Sequence, residues 1–401
     1  MSLRKLSVAV ALALSATGAS AQVSGGVVKI GVLSDMSSLY ADIGGPGSVA
    51  AAHLAVEDYL KTHKGLKVEI VSADHQNKPD TGSAIARQWY DVDGVDAIFD
   101  VPTSSVALAV NEVTREKKKA FIISGAASSD LTGKACSPNS VHWTYDTWML
   151  ANGTGGAIVK TGGDSWYFIT ADYAFGHALE RDTEAVVLKN GGKVLGKVRV
   201  PLNTQDFSSF LLQAQASKAK IIGLANAGGD TINSIKQASE FGIVKGGQNL
   251  AGLLVFISDI HGLGLQTAQG LIFTTTFYWD QNDQTRAFAK RMAAANNGKY
   301  PTMVQAGVYA SVLHYLKAVE AAKTDDGTKV VEQMKKMPTD DVLFGKGRIR
   351  ADGRALHPAY LVEVKKPAES KGPYDYYKVK ATIPMEQAFR PENEGGCSLV
   401  K

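Results

Sequence analysis

The chain has 401 residues, 45% of them hydrophobic and 20% charged, with 43 Lys and Arg against 39 Asp and Glu for a formal net charge of +4. So balanced a composition gives no reason to expect nucleic acid or an anionic membrane surface as partner, and leaves a small neutral or anionic ligand open. The length exceeds one ordinary hydrophobic core and asks for two domains, which the apolar share is ample to build.

Residues 1–21 read as a secretory signal peptide: Arg4 and Lys5 give the positive start, residues 6–14 the apolar run, and Ala19-Ser20-Ala21 the small-residue cleavage site. The mature chain is expected to begin near Gln22, and losing Arg4 and Lys5 takes the charge from +4 to +2. No later stretch is long and apolar enough to span a bilayer, so the expected product is soluble and exported. Only two cysteines occur, Cys136 and Cys397. In an oxidising compartment an even pair favours a disulfide over two unrelated buried thiols.

After the leader, 27–33 (VVKIGVL) is a nearly continuous apolar run and reads as a central strand. A turn-rich stretch then enters a helix at 48–61, followed by a strand at 67–72, a helix over TGSAIARQWY and a strand at 96–101. A helix opening at Ser104 leads through the charged end 115–119 into a strand at 120–123. Strict alternation of strand and helix means a doubly wound parallel sheet. After a bridge at 141–156 the plan restarts, with strands at 166–170, 193–200, 220–225 and 253–256 and helices at 175–189, 207–216 and 231–241 between them. The apolar 270–279 reads as a strand running between domains. Amphipathic helices at 285–295 and 302–322 read as a return to the first domain. A Gly-rich turn, FGKGRIRADGRAL, a strand at 359–364 and a Pro-punctuated tail complete the chain.

Two strand ends carry the likeliest chemistry by residue type. In AFIISGAASSDLTG, 120–133, the strand turns into small hydroxyl residues around Ser124, Ser128 and Ser129, which admit a ligand close to the backbone and offer N–H and O–H donors. In VPTSSVALAV, Ser104 and Ser105 fall at a helix start. Together they suggest an anion cradle for a carboxylate at the C-terminal edge of a sheet. Gly45, Gly47 and Ala50 superficially match a dinucleotide fingerprint but sit some ten residues beyond the strand, where a true fingerprint follows at once. No phosphate loop, nucleophile elbow or zinc motif is present, and neither cysteine has a His or Cys at ligand spacing. No cofactor, metal or catalytic set is therefore expected. Aromatic residues gather at loops beside strand ends, namely Tyr40, Tyr145, Trp148, Tyr173, Phe175, Tyr278 and Trp279, where packing and a ligand sandwich are both open readings. Asn226, Ser258 and Asp259 supply polar groups in the second half, although Asp259 also suits the cap of a following turn.

The order of these motifs resembles the type I periplasmic binding proteins of ABC transporters, in the branched-chain amino acid (leucine/isoleucine/valine-binding) group. The likeness rests on KIGVLSDMSSLYADIGGPG with AAAHLAVEDY, PTSSVALAV, IISGAASSDLT, ADYAFGHALERD and AGGDTINSIKQASEFG, and covers nearly all of the mature chain. It implies two Rossmann-like lobes with parallel sheets flanked by helices, joined by three crossovers, with lobes at 27–145 plus 279–355 and at 146–278 plus 356–401. Carried over, the carboxylate positions are Ser104, Ser105, Ala126 and Ser128, and Phe175 stands where amino acid binders often present Tyr. The acidic residue that holds an ammonium in those binders is matched only loosely, by Asp259. FISDIHGLG and the GGCSLV tail are similar to the subgroup that takes up aromatic carboxylates. The resemblance therefore implies a monomeric, non-enzymatic solute-binding protein that closes on an aromatic acid and docks on a membrane permease, with branched-chain amino acid uptake or ligand sensing for a membrane receptor as alternatives. The expected ligand set is Tyr40, Ser104, Ser105, Ala126, Ser128, Tyr145, Tyr173, Phe175, Asn226, Asp259 and Tyr278.

Overall fold

The computed structural model describes residues 23–401; the expected signal peptide, 1–21, lies outside them. In chain order the strands are β1 (Val28–Ser34), β2 (Val68–Asp74), β3 (Ala97–Asp100), β4 (Ala120–Ile123), β5 (Ser140–His142), β6 (Ser165–Ala171), β7 (Lys193–Val200), β8 (Ile221–Ala225), β9 (Asn249–Gly252), β10 (Ile272–Thr275), β11 (Thr339–Asp341), β12 (Gly345–Ile349), β13 (Ala355–Leu356), β14 (Ala359–Val364) and β15 (Tyr377–Ile383). They form a five-stranded parallel sheet ordered β2-β1-β3-β4-β5 and a four-stranded parallel sheet ordered β7-β6-β8-β9, with two small antiparallel sheets, β10-β14-β15 and β11-β12-β13. This is the α/β plan of two sheets flanked by helices.

The central strands are apolar throughout because both faces are covered. Val28, Ile30 and Val32 of β1, with Phe99 and Ile122, join the core under helices Gly45–Thr62 and Met303–Ala322. The alternate residues Leu33, Ile98, Phe121 and Ile123 face helices Pro79–Asp91 and Ser104–Lys117. Helix Met303–Ala322 thus returns to the first lobe, and helix Gly327–Lys336 packs beside it. The chain leaves the five-stranded sheet after β5 and enters the four-stranded sheet at β6. Arg354, fully buried, pins the start of that connection by donating to the carbonyls of Thr144 and Tyr145 and to Asp146 Oδ2 at 3.1, 3.4 and 3.3 Å.

Three expectations change. The apolar run 253–256 is not a strand; β9 lies just upstream, and 253–256 is the loop entering helix Ile257–Leu263, buried against the other lobe rather than within a sheet. The Gly-rich turn contains β12 and β13, pairing Arg348 with Leu356. The tail carries an edge strand, β15, and beyond it Arg350 Nη1 donates to the Arg390 carbonyl at 2.7 Å, so residues near 390 lie over the first lobe. Cys136 and Cys397 are bonded, with Cα atoms 5.6 Å apart across 261 residues of sequence.

Candidate functional site

The two cradle segments lie side by side at the C-terminal ends of β3 and β4. Asp100 and Val101 both adopt left-handed backbone angles, φ 79° and 54°, held by the Val101 N–H donating to the Leu33 carbonyl at 2.9 Å. Such backbone is strained, markedly so at a β-branched valine, and gathers at ligand sites. It turns Pro102 toward Gly125, where a Cβ would lie 2.6 Å from Pro102 Cα and 2.7 Å from Asp100 Oδ1, so only glycine fits. Ser104, at the start of its helix, accepts from the N–H groups of Ala127 and Ser128 at 3.3 and 3.2 Å and ties one segment to the other. Ser34 donates to Asp100 Oδ2 at 2.8 Å, whereas Oδ1 is buried without a partner. Burial pushes the Asp100 carboxyl up to about 6.

In front of this cradle the lobes meet around a narrow cavity of about 10 Å³. The first lobe and its crossover supply Tyr40, Ile43, Pro102, Gly125, Ala127 and Tyr145; the second supplies Tyr173, Phe175, Ala227, Leu254 and Phe256. Tyr145 donates to the Gly125 carbonyl at 2.6 Å, and its ring meets Phe256 edge-on at 5.9 Å. The Tyr40 and Tyr173 oxygens lie 2.6 Å apart across the lobe boundary. Gly228, at φ 58°, brings its loop onto the other lobe: a Cβ there would sit 2.9 Å from the Leu39 carbonyl and 3.1 Å from the Tyr40 ring. Nearby, Ser129 and Thr147 both donate to Asp182 Oδ2 at 2.7 and 2.6 Å, and Arg181 Nη1 to Asp130 at 3.0 Å.

Of the residues singled out in the sequence, Tyr40, Tyr145, Tyr173 and Phe175 line the cavity together. Ser104 and Ser128 stand behind it, Ser128 capping the short helix Ser129–Thr132 by accepting from the Asp130 N–H. Ser105 is half-buried on its helix and does not line the cavity. The Ala126 side chain packs in the core behind the sheet while its carbonyl meets His142 Nε2 at 2.7 Å. Asn226 is spent locally, donating to Ser234 at 3.0 Å and accepting from Thr231 at 2.7 Å. Asp259 accepts from the Phe256 N–H at 2.9 Å, capping its own helix, and burial pushes its carboxyl up to about 7. Tyr278 belongs to a separate aromatic cluster, its hydroxyl facing the Tyr374 carbonyl at 3.3 Å and its ring 4.8 Å from Tyr377.

Ile43, Pro102, Gly125, Ala127, Ala227, Leu254 and Phe256 line the cavity without having been singled out for it. Gly125 and Ala127 lie inside the cradle motif, and Leu254 and Phe256 inside the run read as a strand. Among the described residues, no group of three or more His, Cys, Asp or Glu is placed to hold a metal ion.

A sheet-edge cavity closed between two lobes invites comparison with known proteins, and a family model described as periplasmic binding protein matches residues 27–372. The chain belongs to the periplasmic binding protein family. This periplasmic binding protein is 54% identical to one from Burkholderia mallei, over 94% of its own length and 100% of that chain, with a TM-score of 0.91. It is 43% identical to a branched-chain amino acid ABC transporter periplasmic ligand-binding protein of Burkholderia xenovorans LB400, over 93% and 100%, TM-score 0.83. It shares its fold, at 19% identity over 93% and 100% and a TM-score of 0.79, with an ABC transporter solute-binding protein of R. palustris solved in complex with benzoate. Family and neighbours are solute-binding proteins, not enzymes, so this chain is the substrate-binding component of an ABC transporter, with a small-molecule ligand and a membrane permease as its partners.

Proposed function

We propose that this periplasmic binding protein collects small aromatic carboxylic acids for uptake, its two lobes closing over the acid and presenting it to the permease. The observation that carries the reading is the lining of the cavity: five aromatic rings, from Tyr40, Tyr145, Tyr173, Phe175 and Phe256, and no charged side chain. An ammonium buried there has no counter-charge, and stripping its water costs several kcal/mol. The acidic residue best placed by sequence, Asp259, is turned to its own helix. A planar acid needs apolar walls and one anion cradle. Ser104 supports the second need by tying the two cradle segments together from behind, its oxygen accepting two amide hydrogens. The shared fold with a protein that holds benzoate supports the same reading.

In this account residues 1–21 direct export and are removed near Gln22, and closure is a shift between open and closed populations drawn by contacts from both lobes. Uptake of a branched-chain amino acid is the second reading, favoured by what the B. xenovorans relative is called. Titration calorimetry of the mature chain with benzoate and with leucine separates them. Saturable binding of benzoate, recovered unchanged, is expected; binding of leucine alone reverses the order.

A further inference from the structure

The hydrogens of the phenol pair at the lobe boundary do not balance. The Tyr40 and Tyr173 oxygens are 2.6 Å apart, both rings line the cavity, and neither oxygen has another hydrogen-bond partner among the described residues. Each phenol carries one hydrogen. One of the two hydrogens lies between the oxygens, and the other has no protein acceptor. Tyr145, the third hydroxyl of the cavity, does not relieve this, since its own hydrogen goes to the Gly125 carbonyl. Both phenols stay neutral, because burial pushes each of them up and no cation lines the cavity to draw a proton off. Tyr40 is buried and Tyr173 half-buried, and a donor that an occupant shuts off from water without an acceptor is costly, so the surplus hydrogen calls for an oxygen on whatever fills the cavity.

We infer that Tyr40 and Tyr173 are a specificity-determining pair that gives one phenol hydrogen to an oxygen on the ring of the bound acid, at the end away from its carboxylate. The inference rests on the aromatic-acid reading and adds the ligand's second polar end. The placement follows from the elements: Ser104 and Gly125 of the cradle follow β3 and β4, whereas Tyr40 follows β1 and reaches toward the second lobe to meet Tyr173, which follows β6. Because the pair bridges the lobes, opening the cleft separates the two oxygens, and reading the ring substituent belongs to the closed form alone.

The test is calorimetry with 4-hydroxybenzoate and 4-methylbenzoate, similar in size but differing in the oxygen. The wild type is expected to prefer the hydroxy acid by about 10-fold or more, since a site built for a hydrogen bond rejects the analogue that lacks it. Tyr40→Phe and Tyr173→Phe each leave one O–H and keep most of that preference. The double Phe variant loses it. Equal wild-type affinities, or a preference that survives in the double variant, overturn the pair's role and leave the aromatic-acid reading standing. Failure of both acids to bind the wild type removes that reading and the pair's role with it. The wild-type comparison is decisive even if the double variant folds poorly.

Discussion

The two sides of the cavity are made of different material. The first lobe presents Pro102, Gly125 and Ala127 from strained strand ends, backed by buried Ser34, Asp100, Ser104 and Ser124. The second lobe presents Phe175, Leu254 and Phe256, apolar side chains on a loop and a helix start, with Tyr173 as its hydroxyl. One side therefore offers main chain fixed by a polar network, and the other offers shape. In the proposed function the first side holds the group common to all carboxylates, and the second, joined by Tyr40 of the first, selects among rings.

The largest effect expected from breaking that division is on the second lobe. Removing a buried Phe side chain costs about 3–5 kcal/mol, so Phe256→Ala is expected to lower the melting temperature clearly and weaken benzoate while admitting a bulkier acid such as 2-naphthoate. Equal loss for both acids in calorimetry would deny the loop its selecting role. Next comes Gly125→Val. Its side chain collides with Pro102 Cα, and overpacking of about 1–3 kcal/mol lands within the cradle, so all aromatic acids are expected to weaken together by about 10-fold or more.

Ser104→Ala takes the acceptor from two buried amides. A loss of about 1–3 kcal/mol is expected, shared evenly across acids with different rings; a change in their order would move Ser104 to the selecting side.

The smallest effect is one of pH. The Asp259 carboxyl, ordinarily near 3.8, is held at about 7 by burial, so the folded protein binds this proton more tightly than the unfolded chain does. The contribution favours folding at low pH and is lost as pH rises through about 7. Asp259→Asn, neutral at every pH, should therefore gain in melting temperature relative to wild type between about pH 5 and pH 8. A constant difference would mean that the carboxyl titrates normally.

The fold was legible where burial on two faces writes a continuous apolar run, as in residues 27–33 and 120–123, whereas Met303–Ala322, read as amphipathic, is buried on nearly every side. It was not legible at 253–256, because Leu254 and Phe256 are as apolar against a cavity as they would be inside a sheet. The hairpin within FGKGRIRADGRAL escaped notice because its glycines read as turn. At the site, Tyr40, Tyr145, Tyr173 and Phe175 came together, whereas Tyr278 joins a separate cluster and Ser128, Asn226 and Asp259 turn to nearby amides and hydroxyls. Residue type announces a donor or acceptor; only the backbone decides which way it points.

Helix Met303–Ala322, packed on Gly45–Thr62, completes the first lobe from the far side of the sequence. During synthesis the first sheet emerges early, yet Gly45–Thr62 covers only part of one face until this helix appears, after the strands of the second parallel sheet have all been made. The second sheet has its neighbours close in sequence and is positioned to fold ahead of the first, since long-range closure is the slower step. A chain truncated before residue 303 should accordingly expose Phe99, which loses its edge-on contact with Tyr315, and aggregate.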